Sequence, residues 1–108
     1  MAMNYSELIQ NLIKKQAELH RSGYVPVETI FDKERHHYLL LQVGWVNNHW
    51  VYGCIMHLDI INGKIYIQQN NTEISIASKL VDLGVPKTDI VLGFHSPFKR
   101  RFTEYAVS

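Results

Sequence analysis

The sequence contains six histidines, a number that raises the question of a metal site. His57 and Asp59 are two positions apart on a predicted strand, so their side chains share one face and offer two ligands to a cation. A third ligand is not visible, because His37 is predicted on the opposite face and no HExxH motif is present. We therefore predict no metal and no cofactor, with the histidines hydrogen-bonded or exposed.

The residues needed for covalent catalysis are also missing. Cys54, the single cysteine, is predicted in the core, where a thiol is unreactive. Ser96 directly follows His95, but the members of a catalytic triad converge in space rather than along the chain. The sequence has no G-x-S-x-G motif, no P-loop and no carboxylate cluster for metal-assisted hydrolysis. We predict no catalytic residue and a protein that is not an enzyme.

One basic cluster stands out, formed by Lys99, Arg100 and Arg101 between Phe98 and Phe102. Such a cluster can contact phosphates or an acidic partner. The alternative is a solvated turn whose two aromatic rings point inward. The net charge is +1 and the pI about 7.9, below the value of about 9 that marks many nucleic-acid-binding domains. We expect weak or no direct DNA binding.

The composition describes one globular domain spanning residues 1–108, with 46% hydrophobic and 19% charged residues. A lone cysteine excludes an internal disulfide and suits a reducing compartment. The N-terminus lacks the features of a signal peptide, and no apolar run approaches the roughly 18 residues of a membrane span. The chain is therefore predicted to be soluble and cytoplasmic, with no membrane partner.

Two amphipathic helices are predicted. The first begins after Asn4, which has capping-box spacing to a glutamate three positions on, and ends at Gly23. The second is capped by Asn71 or Thr72 and ends near Gly84. Their apolar stripes are Leu8, Ile9, Leu12, Ile13, Ala17 and Leu19 in the first helix, and Ile76, Ala77, Leu80, Val81 and Leu83 in the second.

Between the helices the pattern predicts antiparallel strands over residues 27–31, 37–46, 49–61 and 64–69. Asn47-Asn48 and Asn62-Gly63 separate the last three as two-residue hairpin turns. Residues 90–94 form a fifth strand or an extended packing segment. The predicted fold is α+β: an antiparallel four- to five-stranded meander sheet with an N-terminal helix and a second helix after the sheet.

The two-residue turns also predict the strand register. They place Trp45 opposite Trp50, Leu39 opposite Met56 and Leu58 opposite Ile67. The predicted core face then carries Leu39, Leu41, Val43, Trp45, Trp50, Tyr52, Cys54, Met56, Leu58, Ile60, Ile65 and Ile67. The other face is mixed, with Tyr38, Leu40, Gln42, Gly44, His49, Val51, Gly53, Ile55, His57, Asp59, Tyr66 and Gln68. A shift of one residue would exchange the two sets.

The mixed face supplies the candidate contact residues. Tyr38, His57 and Gln68 converge there in the predicted register, and His95 follows the last apolar run. One hypothesis is that they bind a small ligand or substrate. The same face offers apolar contacts for a homodimer, because a net charge near zero does not repel a second copy. These contacts are Leu40, Val51, Ile55 and Tyr66.

Motifs along residues 5–108 resemble the XisI family, the fdxN element excision controlling factors. They are Phe31-Asp32 with Glu34-Arg35 and Tyr38, Val43-Gly44-Trp45, Tyr52-Gly53, His57-Leu58-Asp59-Ile60, Asp82-Leu83-Gly84-Val85-Pro86, Gly93-Phe94-His95, and Arg101 with Thr103.

The resemblance implies an accessory protein that controls excision of a DNA element beside a recombinase and a nuclease-like partner, XisH. It assigns no catalytic residue to any position. The leading hypothesis is therefore a protein-binding module. The rivals are ligand binding or catalysis on the mixed face, and direct DNA binding through Lys99, Arg100 and Arg101.

Overall fold

A computed structural model describes residues 3–108 and contains one five-stranded sheet with helices before and after it. The elements in chain order are α1 (Tyr5–Ser22), β1 (Val27–Asp32), β2 (His37–Val46), β3 (His49–Ile61), β4 (Lys64–Asn70), α2 (Ile76–Asp82), a 3₁₀ turn (Lys87–Asp89), β5 (Ile90–Leu92) and α3 (Pro97–Arg100). The strands lie in sequence order across the sheet. The α+β prediction is confirmed.

The one departure in strand direction is β5, which pairs parallel to β4, whereas β1 to β4 are antiparallel. Parallel neighbours need a crossover, because the chain must return to the end of the sheet where it started. The segment between β4 and β5, which contains α2, provides that crossover. A meander of antiparallel strands therefore describes only the first four strands.

Turn and cap residues behave largely as predicted. Asn47, Asn48, Asn62 and Gly63 have φ between 51° and 76°, the left-handed backbone that type I′ hairpin turns require. The Asn4 side chain accepts a hydrogen bond at 3.1 Å from the backbone N–H three residues later and caps α1. The cap of α2 differs from the prediction.

Ser75 caps α2, and its hydroxyl accepts from the backbone N–H of Ser78. The predicted caps, Asn71 and Thr72, lie in the preceding turn, where Thr72 hydrogen-bonds the Asn70 side chain instead. The cap was predicted at the wrong position because this short segment contains several polar residues that could cap a helix. Their side chains hydrogen-bond to nearby backbone in turns as well as at helix caps.

The helices α1 and α2 contribute to one hydrophobic core on one face of the sheet. From the helices, Ile9, Ile13, Ile76 and Leu80 are buried in it. From the sheet, the core includes Tyr38, Leu40, Ile55, Met56, Leu58, Ile65 and Ile67. No helix within residues 3–108 has the length and apolar character needed to cross a membrane.

A β-bulge at Ile55 alters the predicted register. From the turn to Leu41, which pairs with Cys54, the register is as predicted. Beyond that pair Leu40 lies opposite Met56 and Leu39 opposite His57, so β3 contains one extra residue. Ile55 and Met56 are consecutive, yet both are buried. The alternation of β3 therefore restarts at the bulge.

The bulge corrects both predicted faces. Tyr38, Leu40 and Ile55, predicted on the mixed face, are buried in the core, so the predicted dimer contacts of Leu40 and Ile55 are wrong. Seven residues predicted in the core lie instead on the face away from the helices. They are Leu39, Leu41, Val43, Trp45, Trp50, Tyr52 and Cys54. A single inserted residue moves every side chain on one side of it to the other face.

Candidate functional site

The sheet face opposite the helices is apolar along much of its length. We use the name open face for the side chains of Ile30, Leu39, Leu41, Val43, Trp45, Trp50 and Tyr52. Trp45, Trp50 and Tyr52 are 69%, 57% and 69% exposed, and Ile30 is 46% exposed. Contiguous apolar surface of this kind marks interaction sites on many proteins.

The two tryptophans form a pair across the β2–β3 hairpin. Their ring centroids are 5.6 Å apart at an interplanar angle of 67°, an edge-to-face arrangement that aromatic quadrupoles favour. Their predicted cross-strand pairing is confirmed, whereas their predicted burial is wrong. The two rings therefore form one continuous exposed aromatic surface.

At its other end the open face adjoins a polar group that we name the histidine–aspartate cluster: His37, His57, Asp59 and Gln68. Asp59 Oδ1 lies 2.8 Å from both His37 Nδ1 and His57 Nε2. The Gln68 amide donates to Asp59 Oδ2 at 3.1 Å. Asp59 is buried, while the two imidazoles are partly exposed.

The register shift creates this cluster. With the extra residue in β3, His37 lies opposite Asp59 rather than on the other face. The prediction that no third ligand accompanies His57 and Asp59 is therefore wrong, since His37 is that third group. The consecutive large apolar residues Ile55-Met56 are the one sequence signal at this position, and they are compatible with a bulge without requiring one.

The carboxyl group of Asp59 is held in its charged form. Burial raises its pKa, but hydrogen bonds from His37, Gln68 and His57 outweigh that effect, so the pKa lies below its ordinary value. A carboxylate with a lowered pKa stabilises the folded state above its unfolded pKa of about 3.9, and the contribution is lost as pH falls through the folded value.

This linkage predicts a specific pH dependence. The free energy of unfolding of the wild-type protein should fall more steeply between about pH 5 and pH 3 than that of Asp59→Asn, which has no carboxyl to protonate. Urea unfolding at a series of pH values measures both profiles. Parallel profiles would show that Asp59 contributes nothing to the acid sensitivity.

The predicted set of Tyr38, His57, Gln68 and His95 is only partly brought together. His57 and Gln68 both contact Asp59. Tyr38 lies on the helix side of the sheet, where its hydroxyl hydrogen-bonds Ser6 and His36. The ring of His95 packs against Phe94, with centroids 4.5 Å apart. A ligand site built on Tyr38 is therefore excluded by its position in the core.

Cys54 also differs from its prediction. The thiol is half-buried on the face away from the helices rather than in the core. Burial raises its pKa, and a contact with the Met56 backbone opposes the rise without cancelling it. A raised pKa lowers the thiolate fraction that reacts with electrophiles.

The basic cluster is divided between two roles. The Arg100 guanidinium donates to the backbone carbonyls of Leu92, Gly93, His95 and Val107 at 3.0–3.4 Å. It therefore connects the C-terminal segment to the end of β5.

Lys99 and Arg101 are exposed. The Arg101 guanidinium lies 5.2 Å from the ring centroid of Phe98 and 5.8 Å from that of Phe102. These rings are 63% and 72% exposed, so the predicted inward packing of both is wrong. Tyr105, further along the chain, packs against the core, whereas Phe98 and Phe102 do not.

With Arg100 bound to carbonyls, two cations of the cluster remain for phosphates. Each phosphate contact adds about −0.9 to the slope of log K against log salt for duplex DNA. Two contacts should therefore give a slope of about −2 or shallower. Fluorescence anisotropy at several salt concentrations measures the slope. Nanomolar binding at physiological salt, or a slope of about −6, would contradict this prediction.

One cavity near the end of the sheet differs in chemistry from the histidine–aspartate cluster. A cavity of about 220 Å³ lies between α2, β4 and the C-terminal segment. Its lining residues are Ile67, Asn70, Ser75, Ile76, Ala77, Leu92, Phe94 and Tyr105. The lining contains no carboxylate, imidazole or thiol, so no such group lies beside the Ser75 hydroxyl to act as its general base.

A five-stranded sheet with both main helices on one face and an exposed aromatic pair on the other defines a small α+β protein. The model of the XisI protein family matches residues 1–107. The chain therefore belongs to the XisI family. A comparison with curated proteins found no match.

Solved structures agree with this assignment. A XisI-like protein from Anabaena variabilis ATCC 29413 is 44% identical, with a TM-score of 0.89 and 96% of each chain covered. The fdxN element excision controlling factor XisI from the same organism is 40% identical, with a TM-score of 0.84 and the same coverage. The fold described above is thus similar to that of both proteins over nearly their full lengths.

Proposed function

We propose that this protein is a non-enzymatic controlling factor for site-specific excision of a DNA element, and that it acts by binding a nuclease-related protein of the XisH type. The family membership and the similarity to an excision controlling factor support the role in excision. The single cysteine suits the reducing cytoplasm, where we place this action.

The open face is the observation that carries the proposal. Its three aromatic residues and Ile30 expose roughly 500 Å² of largely apolar surface, at the upper end of the roughly 300–600 Å² that the largest patch of a monomer reaches. The half-buried Leu39, Leu41 and Val43 enlarge it. These side chains together supply more than half of the roughly 800 Å² per partner of a stable complex.

The residue types on this face favour binding over chemistry. Tryptophan and tyrosine dominate the binding energy of many protein interfaces, because they bury a large area with few rotatable bonds. Trp45 and Trp50 already pack against each other edge to face, which restricts the rotamers open to each ring. Little conformational entropy would therefore be lost when a partner covers them.

The experiment is co-expression with an XisH-type protein and co-purification through a tag on that partner. We expect the wild-type chain to be retained and the double variant Trp45→Ser, Trp50→Ser to be lost from the complex. Tyr24→Ser is the matched control, because Tyr24 is 94% exposed but lies outside the open face.

Retention of the double variant at the wild-type level would contradict the role of the open face. Failure of the wild-type chain to co-purify would contradict the XisH-type partner.

A homodimer is the second occupant that this surface admits. If two copies pair through the open face, sedimentation at micromolar concentration will give a dimer, and the double variant will be a monomer. A dimer that persists in the double variant would place the contact between copies elsewhere.

A further inference from the structure

We infer that His37, His57 and Asp59 form a binding site for a divalent first-row transition metal ion, with Zn²⁺ as its natural probe. The three donor atoms lie within 4.8 Å of one another. Two imidazole nitrogens and one carboxylate oxygen are a donor set found in zinc sites and in open iron(II) sites. The inference is independent of the proposed partner.

The distances fit a cation after small side-chain movements. A tetrahedral zinc ion with ligands at about 2.1 Å separates its donors by about 3.4 Å. Both imidazole nitrogens are now 2.8 Å from Asp59 Oδ1 as hydrogen-bond donors. If each imidazole nitrogen moves roughly half an ångström further from Asp59 Oδ1, the ion fits at the point where the two hydrogen bonds now converge.

The protonation of the rings is also compatible. In the metal-free form His37 Nδ1 and His57 Nε2 carry the protons that Asp59 accepts. For binding, each neutral ring moves its proton to the other nitrogen and presents a lone pair to the cation. The side chains are 48% and 31% exposed, so water can satisfy that other nitrogen and fill the remaining coordination position.

The charge balance favours a cation. Asp59 is buried, and among residues 3–108 its charged-group partners are these two imidazoles. With both rings neutral the cluster carries one negative charge, which a divalent ion would offset. Burying a carboxylate is unfavourable unless it is paired or binds a metal.

Gln68 positions the carboxylate from behind. Its amide donates to Asp59 Oδ2 at 3.1 Å, which leaves Oδ1 facing the imidazoles. A Cβ at Gly93 would lie 2.2 Å from Gln68 Oε1, so the glycine leaves room for this side chain. Hydrogen-bonded partners of this kind typically change metal affinity about 10- to 100-fold when they are removed.

The test is calorimetric titration of metal-stripped, untagged protein with Zn²⁺, together with Co²⁺ titration followed by visible absorption. We expect one ion per chain with micromolar or tighter affinity, no site binding in His37→Ala or His57→Ala, and binding about 10- to 100-fold weaker in Gln68→Ala. His49 lies on β3, as His57 does, but outside the cluster, so His49→Ala should bind Zn²⁺ with wild-type affinity.

Thermal unfolding of each variant without metal verifies that it is folded, and His37 is exposed enough to be replaced without disturbing the core. Zn²⁺ should raise the Tm of the wild type and of His49→Ala but not that of His37→Ala. Absence of binding to the wild type at about 100 μM Zn²⁺ would overturn the inference. So would wild-type affinity in both His37→Ala and His57→Ala.

Discussion

Replacing Leu40 by alanine should lower the free energy of unfolding by about 3–5 kcal/mol, whereas the same change at Leu39 should cost about 1 kcal/mol. Leu40 is fully buried beneath the helices, and Leu39 is half-buried on the open face. The large value combines the lost transfer free energy of the side chain with the cavity left in a packed core.

These adjacent leucines form a matched pair, because the residue type and strand are the same and only the face differs. Urea unfolding of the two variants gives both values, and the Tm of Leu40→Ala should fall by roughly 15 °C. The uninterrupted register predicted from the turns gives the reverse order. A larger cost at Leu39 than at Leu40 would therefore refute the bulge at Ile55.

Replacing Arg100 by alanine should destabilise the protein by about 2–4 kcal/mol, an unusually large effect for a residue in a basic cluster. The guanidinium donates to carbonyls of the β5 end and of Val107. Hydrogen bonds that involve a charged group are stronger than neutral ones, and the carbonyls would lose their partner.

The neighbouring Lys99→Ala and Arg101→Ala serve as controls, since both side chains are exposed. Each should change the free energy of unfolding by about 0.5 kcal/mol or less. Thermal unfolding of the three variants measures the difference. Equal, small effects at all three positions would show that Arg100 does not hold the C-terminal segment in place.

Features determined by a few neighbouring residues were predictable from the sequence. The asparagine and glycine turns gave the hairpins, because few residues tolerate positive φ at both central positions. Asn4 gave the start of α1, since its side chain satisfies a backbone N–H that the helix leaves free. Strand existence and the Trp45–Trp50 pairing followed from the turns.

The bulge could not be derived from such local rules. Cys54, Ile55 and Met56 are all apolar, so each fits either face of a strand, and the turn at Asn47-Asn48 specifies the register only up to the first irregularity. What selects the bulge is the packing of Ile55 and Met56 together beneath the helices. The candidate site changed with it, because His37 entered the cluster and Tyr38 left.

The role of Arg100 is a second feature that could not be predicted from the sequence. Its sequence neighbours, Lys99 and Arg101, indicate a solvated basic cluster, whereas its carbonyl partners come from segments that approach only in the folded chain. Long-range hydrogen bonds of this kind leave no periodic signal in the sequence.

We propose that a partner protein covers the open face. Trp45 and Trp50 are the two tryptophans of the chain, and both lie on that face. Protein labelled with 5-fluorotryptophan should therefore give two ¹⁹F NMR signals that report on this surface alone, even when the unlabelled partner contains tryptophans of its own.

The decisive measurement is a titration of this labelled protein with an XisH-type partner. We predict that both signals shift or broaden as the complex forms and lose their sensitivity to the solvent isotope, because the partner excludes water from the paired rings. A complex that forms while both signals stay unchanged would contradict the claim and place the docking surface elsewhere on the molecule.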